Sequence, residues 1–179
     1  MFIDDILTET AKLLGMREGE TLDEERKEKL LTGLKHVVGE LAESYYPLVK
    51  TERFVSTNGH IKYADFERTP IAVKSVLVRG RSVPFRRLFD GIEFDCEKEE
   101  ACVTYAFEPL VPEAGGETEW QGEGVPMRIL AFGTATEFCL IEGLEDDAAM
   151  WDKRYRDALS DSAILRAPKR RIGARRWRL

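Results

Sequence analysis

The hydrophobic period of this chain changes twice, and that change constrains the fold more than any single motif. Residues 3–14, IDDILTETAKLL, place Ile3, Ile6, Leu7, Thr10, Leu13 and Leu14 at helical spacing, with acids in the first turn and Gly15 as a stop. A second helical stripe runs through Leu30, Leu31, Leu34, Val37, Val38, Leu41, Ala42 and Tyr45 and ends at Pro47. From Glu52 to Pro109 the period drops to two, and after Pro126 it returns to that of a helix. Neither pair of helices can hide its stripe alone. The pattern therefore predicts an α+β protein in which about four helices form one bundle and an antiparallel β domain is inserted between the second and third.

Local signals refine that outline. Thr21-Leu22-Asp23-Glu24 reads as a capping box at the start of the second helix. Gly33 and Gly39 lie within it, each costing about 1 kcal/mol relative to Ala, and imply either close packing or a bend. In the β region, Arg53–Thr57 and His60–Tyr63 flank Asn58-Gly59, which predicts a two-residue hairpin. Runs at 71–78, 82–85, 91–95 and 101–107 bring the expectation to five or six strands in a small sheet or sandwich. The expected boundaries are 1–50 for the first half of the bundle, 51–110 for the β domain and 111–125 for a Pro- and Gly-rich connector. The second half of the bundle follows at 126–165, and an extended basic arm at 166–179. Within the connector, Trp120 is expected to pin the loop to a neighbouring surface.

The third helix, in MRILAFGTATEFCLIEG, is apolar at almost every angle and carries only Arg128, Glu137 and Glu142 as charges. Such a helix must be surrounded. A chain with four helices is not expected to enclose it unaided, so the β region or a second subunit should cover one side. In the fourth helix Ala148, Trp151, Tyr155, Ala158 and Leu159 form the apolar stripe, with acids at 145–147 against its positive end.

Charge is divided unevenly. Seven of the 27 Lys and Arg lie from Arg166 onward with no acid among them, so residues 1–165 hold 20 bases against 33 acids, a net of −13. A cationic block of this kind cannot bury its own charges and is suited to ordering on phosphates or in a carboxylate-rich groove. Ile172, Trp177 and Leu179 add apolar anchors, and the acidic body would repel a duplex, so a protein partner fits better than nucleic acid.

Chemical motifs are sparse. Cys96, Cys102 and Cys139 match neither a disulfide framework nor a CxxC metal site, and His36 and His60 have no Cys, His or acid at ligand spacing. The glycines of EAGGETEWQGEG lack the GK[ST] of a phosphate loop. No nucleophile elbow, Cys-His pairing, helix-turn-helix, zinc finger or RNP signature is present. The reading is a non-enzyme with no catalytic residues, no metal and no cofactor. With no apolar run of 18 residues and acids where a secretory signal would be basic, a soluble protein made in a cytoplasm is expected.

The segment YYPLVKTERFVSTNGHIKYADFERTPIAVKSVLV, the strand VTYAFEP, the block VPMRILAFGTATEFCLIEGLEDDAAMWDKRYRDAL and the RRW near the end resemble the head-to-tail adaptor (connector) proteins of tailed bacteriophages and prophages. The resemblance spans most of the chain and rests on pattern and element order. It implies a homo-oligomeric ring, commonly of roughly twelve copies, in the virion neck, assembled in the host bacterial cytoplasm. Such a ring binds the portal protein, meets tail or neck proteins and lets duplex DNA pass without specific binding; no membrane is involved. The portal-docking role of the C-terminal segment maps onto Arg166, Lys169, Arg170, Arg171, Arg175, Arg176, Trp177, Arg178 and Leu179. Subunit contacts would fall on Phe132, Phe138, Arg154 and Arg156. Two other readings compete: a nucleic-acid-binding or DNA-packaging accessory protein using the same arm on phosphates, and a tail-completion or other neck protein of the same particle.

Overall fold

The computed structural model describes residues 1–16, 23–56, 58–95, 100–120 and 124–166, with side chains as far as Ala163. Helix α1 spans Ile3–Leu13 and α2 spans Glu24–Glu40, continued by a π-helical turn at Leu41–Tyr45. The strands are β1 Leu48–Val55, β2 His60–Lys62, β3 Pro70–Val78, β4 Arg81–Val83, β5 Phe85–Arg87, β6 Gly91–Phe94 and β7 Glu100–Phe107. Helices α3 Met127–Ile141 and α4 Glu145–Arg166 follow. The class is α+β, with four α-helices and two antiparallel sheets among the described residues, and the strands lie between α2 and α3 in the chain.

The capping box expected at Thr21 lies in part outside the described residues, and the cap seen is Asp23, whose carboxylate accepts the Glu25 N–H at 3.3 Å. Its two glycines differ in role. A Cβ on Gly33 would stand 2.9 Å from the Glu137 Cβ, so this glycine lets α2 and α3 touch, whereas Gly39 has nothing within 4 Å. Gly133 repeats the device from the α3 side, where a Cβ would lie 2.8 Å from Val37 and 3.1 Å from the Tyr155 ring.

Close approach at these glycines corrects the expectation that a lone chain cannot enclose α3. Ile129, Leu130 and Phe138 of α3 are buried with Ile3, Ile6 and Leu7 of α1 and Leu30, Leu34, Val37 and Val38 of α2. On another side Ala135 and Cys139 pack on Ala148 and Trp151 of α4. Three helices of the same chain thus seal α3, and the large apolar side chains that stay exposed lie at its C-terminal end: Leu140, Ile141 and, in the turn to α4, Leu144.

Among the described residues the β region holds seven strands where five or six were expected, because Pro84 divides the 82–85 run. Proline has no N–H for a ladder, and at this point the chain leaves one sheet for the other. The four-stranded sheet has the order β1-β7-β3-β4 and the three-stranded sheet β2-β6-β5. Asn58 and Gly59 do adopt positive φ, 53° and 71°, but they do not close the expected hairpin. Strand β1 pairs with β7 over eight residues, from Leu48↔Phe107 to Val55↔Glu100, and β2 pairs with β6. The longer ladder wins, and the turn becomes a crossing between sheets. Both sheets share one core, in which Ile61, Ile92 and Phe94 meet Val76, Val103 and Tyr105.

The connector is a strap anchored to both halves. Arg68 donates to both oxygens of Glu119 at 2.6 and 3.0 Å and to the Glu108 carbonyl at 2.8 Å, while its guanidinium lies 4.8 Å from the centre of the Phe107 ring. One residue on, the Trp120 indole N–H donates to the Tyr46 carbonyl at 2.9 Å, which makes Trp120 the expected pin. The strap also pairs with the start of the chain through Ile3 N–H to Gly116 O and Thr118 N–H to Met1 O, each 3.0 Å.

Two predictions follow from this packing. Gly33→Ala and Gly133→Ala should each destabilise the protein by about 1–3 kcal/mol through overpacking, while Gly39→Ala should stabilise it by up to about 1 kcal/mol through helix propensity; urea unfolding of the three variants tests the contrast. Burial works to raise the Glu119 pKa, but the Arg68 and Leu110 donors outweigh it and hold the carboxyl below its ordinary range. A carboxyl depressed on folding contributes stability above its unfolded pKa and loses that contribution as pH falls through the folded value. Glu119→Gln should therefore cost about 1–3 kcal/mol at neutral pH, and its stability gap from the wild type should close in acid.

Candidate functional site

Helices α2, α3 and α4 leave a groove of ≈ 710 Å³ between them. Its floor is the same close contact that seals α3: Val37, Gly133, Ala148 and Leu159. Its walls carry four carboxylates, Glu40, Glu137, Glu145 and Asp152, against one guanidinium, that of Arg156. Within the groove the Tyr155 hydroxyl donates to Glu40 at 2.9 Å. Burial, reinforced by the Glu40 charge and that hydrogen bond, raises the Tyr155 pKa far above its ordinary value, so the phenol stays a neutral donor. Arg156 is committed along its own helix, with Nε 3.0 Å from one Asp152 oxygen and a terminal nitrogen 2.9 Å from the other. The groove is acidic in sum, and the exposed Leu140 of α3 lines it.

The four residues assigned to subunit contacts do not make one surface. Phe138 is 6 % exposed and belongs to the chain's own core, a correction that follows from the sealing of α3 by its neighbours. Phe132 is half-buried and stacks on Trp151 with ring centres 5.9 Å apart, and the Arg154 guanidinium lies 4.8 Å from the centre of that indole. The structure thus brings Phe132 and Arg154 to one aromatic residue and leaves Arg156 on the groove. Of the arm, Arg166 closes α4 by its backbone. Lys169, Arg170, Arg171, Arg175, Arg176, Trp177, Arg178 and Leu179 lie outside the described residues.

The histidines have carboxylate neighbours that sequence spacing did not reveal. His36 Nδ1 is 3.1 Å from Glu137 Oε2, and His60 Nε2 is 3.6 Å from Asp90 Oδ1. Each pair has one acid and one imidazole, short of the three-ligand set that a catalytic zinc uses. Among the described residues no group of three or more His, Cys, Asp or Glu is placed to hold a metal ion. Among them too, no helix is long and apolar enough to cross a membrane. Cys139 is a buried free thiol whose pKa burial pushes up, and Cys102 is a half-buried free thiol; Cys96 lies outside the described residues.

Two surfaces escaped the sequence reading. The groove draws its acids from three helices, so only the seven-residue spacing of Glu145 and Asp152 on one helical face could have hinted at it. The other is the β5–β6 turn, where Phe89 is fully exposed beside the exposed Leu88. An apolar pair directly before the Asp90-Gly91 turn signal was the available clue. No protein-family model matches the chain, and no curated protein matches it.

Proposed function

We propose that this chain is a structural protein of a phage or prophage particle, a head-to-tail adaptor that forms a ring and grips the portal with its basic C-terminal arm. The observation that carries the reading is the division of charge: a −13 body through residue 165, followed by a segment with seven bases and no acid. A passive coupling needs such a device, because an arm that orders on its partner loses about 1–2 kcal/mol of backbone entropy per residue and binds weakly alone. Many arms on one ring add through effective concentration. The acidic body suits a passage for DNA, since a negative wall does not retain a duplex.

The fold is compatible with this role. The strap fixes the sheets to the bundle through Arg68–Glu119 and Trp120–Tyr46, so that a load on one half reaches the other. The bundle supports the arm directly, because α4 runs without a break to Arg166.

The test is a chain ended after Arg166, produced during growth of the particle. It should fold with an unchanged circular dichroism spectrum and be missing from purified particles. Incorporation equal to that of the full chain would refute the arm's role. Salt-sensitive binding of duplex DNA by the free full chain would favour the nucleic-acid reading instead, since phosphate binding weakens steeply with salt.

A further inference from the structure

We propose that copies of this chain join head to tail, with the Phe89 turn of one copy seated in the α2–α3–α4 groove of the next. The two surfaces lie on different parts of the molecule and match in form, apolar character and charge.

The projecting surface is a fixed turn. Strands β4 and β5 follow one another across Pro84, and each is the outer strand of its sheet, so residues 81–89 run along one rim of the β domain. Arg81, Arg86 and Arg87 are exposed along that rim, and bases there are what any sheet edge needs to resist pairing. Phe89 is not explained in that way. It is fully exposed, yet the turn that carries it is held from several sides. Leu88 N–H donates to Gly91 O at 2.8 Å and Tyr63 N–H to Asp90 O at 2.9 Å. Arg87 donates to the Val73 carbonyl at 3.1 Å, and the Asp90 carboxylate is 3.6 Å from His60 Nε2. Gly91 leaves no room for a Cβ against the Ile61 carbonyl. The backbone is thus already ordered, and an aromatic side chain on such a support is a preorganised anchor for a contact, because binding has little left to order.

The receiving surface supplies what that ring lacks. The groove of ≈ 710 Å³ has an apolar floor in Val37, Gly133, Ala148 and Leu159, flanked by the exposed Leu140 and Ala149. Its walls bear four carboxylates, and Arg156, the one base among them, is already engaged by Asp152. Residues 69–89 contain five bases and no acid, so a chain whose body is acidic in sum carries its own complement on the β rim. Guanidinium groups suit carboxylate walls because they form bidentate hydrogen bonds with them. An apolar ring with basic neighbours therefore fits an apolar floor with acidic walls. Phe89 is fully exposed in its own chain and its turn is fixed, so the groove that it fills belongs to another copy. Such a contact joins unlike surfaces. Every copy gives a turn and accepts one, and the series closes as a ring where the rotation per copy divides a full circle.

This inference rests on the reading of the chain as a ring protein and supplies the contact between its copies. Particle incorporation of the shortened chain tests the arm, and the free full-length protein tests this contact, so each can fail alone. Two full-length variants altered at exposed positions make the test. Phe89→Asp removes the anchor, and Leu140→Lys with Ala149→Arg blocks the groove; both should keep the wild-type circular dichroism spectrum. In sedimentation velocity at up to about 1 mM protein, where contacts of millimolar strength are populated, the wild type should form species larger than dimers. Each variant alone should self-associate at least about ten-fold more weakly. Mixed in equal parts, the two should give one-to-one dimers and nothing larger, because one intact turn then meets one intact groove. A wild type that stays monomeric or stops at dimers, or a mixture that stays monomeric, would overturn the proposal. Association that survives Phe89→Asp but is lost when the chain ends after Arg166 would overturn it in favour of the arm. A second measurement leaves the groove unaltered: benzoylphenylalanine replaces Phe89 in mixed ¹⁴N- and ¹⁵N-labelled chains, which are irradiated and mapped by mass spectrometry. Cross-links to Leu140 or Ala149 of the differently labelled chain are expected, and cross-links elsewhere, or none, would overturn the assignment.

Discussion

The contact of α2 with α3 across Gly33 and Gly133 is the constraint on which the rest of the structure depends. It brings a helix that is apolar at nearly every angle close enough to its neighbours for Ile129, Leu130 and Phe138 to be buried by α1 and α2. The β insertion separates α2 from α3 in sequence, so this interface also closes the bundle around that insertion and brings the two ends of the inserted segment together. The helix–helix core, with its own satellite at Ala135, Cys139 and Trp151, owes nothing to another chain. The need for a second subunit to cover α3 accordingly disappears.

The strap decides how those surfaces are held. Arg68 is shared between Glu119, the Glu108 carbonyl and the Phe107 ring, so the exit from β7 and the approach to α3 are fixed by one side chain. Trp120 then enters the bundle at Tyr46, whose hydroxyl in turn meets Ser162 on α4. This sequence of contacts connects the sheet, the π-helical turn after α2 and the last turns of α4, from which the basic arm departs. A charge-assisted pair and an indole hydrogen bond, each partly shielded from water, hold better than exposed ion pairs of the Arg156–Asp152 kind.

Much of the fold was legible in the sequence, and the failures have physical causes. Periodicity located all four helices because one-sided burial repeats every 3.6 residues, and the α4 stripe of Ala148, Trp151, Tyr155, Ala158 and Leu159 is buried as read. Asn58-Gly59 announced the backbone conformation of a turn, but a dipeptide reports local φ and not which ladder is longer; β1 found eight partners in β7. Gly33 and Gly39 look alike in sequence, and only the position of α3 makes one indispensable and the other replaceable. The same limit hid the groove, whose carboxylates are scattered over more than a hundred residues and converge only when three helices pack. Conversely, the cationic arm was plain from composition because charge asymmetry needs no tertiary structure to be seen.

The account stands on α3 being sealed within a single chain. Hydrogen exchange of the α3 backbone amides, followed by mass spectrometry over a roughly hundred-fold range of protein concentration, tests this directly, since protection that came from association would follow mass action. The α3 amides should exchange as slowly as the most protected part of the chain at every concentration. Protection of Ile129 to Cys139 that falls away on dilution while α1 and α2 stay protected would contradict it.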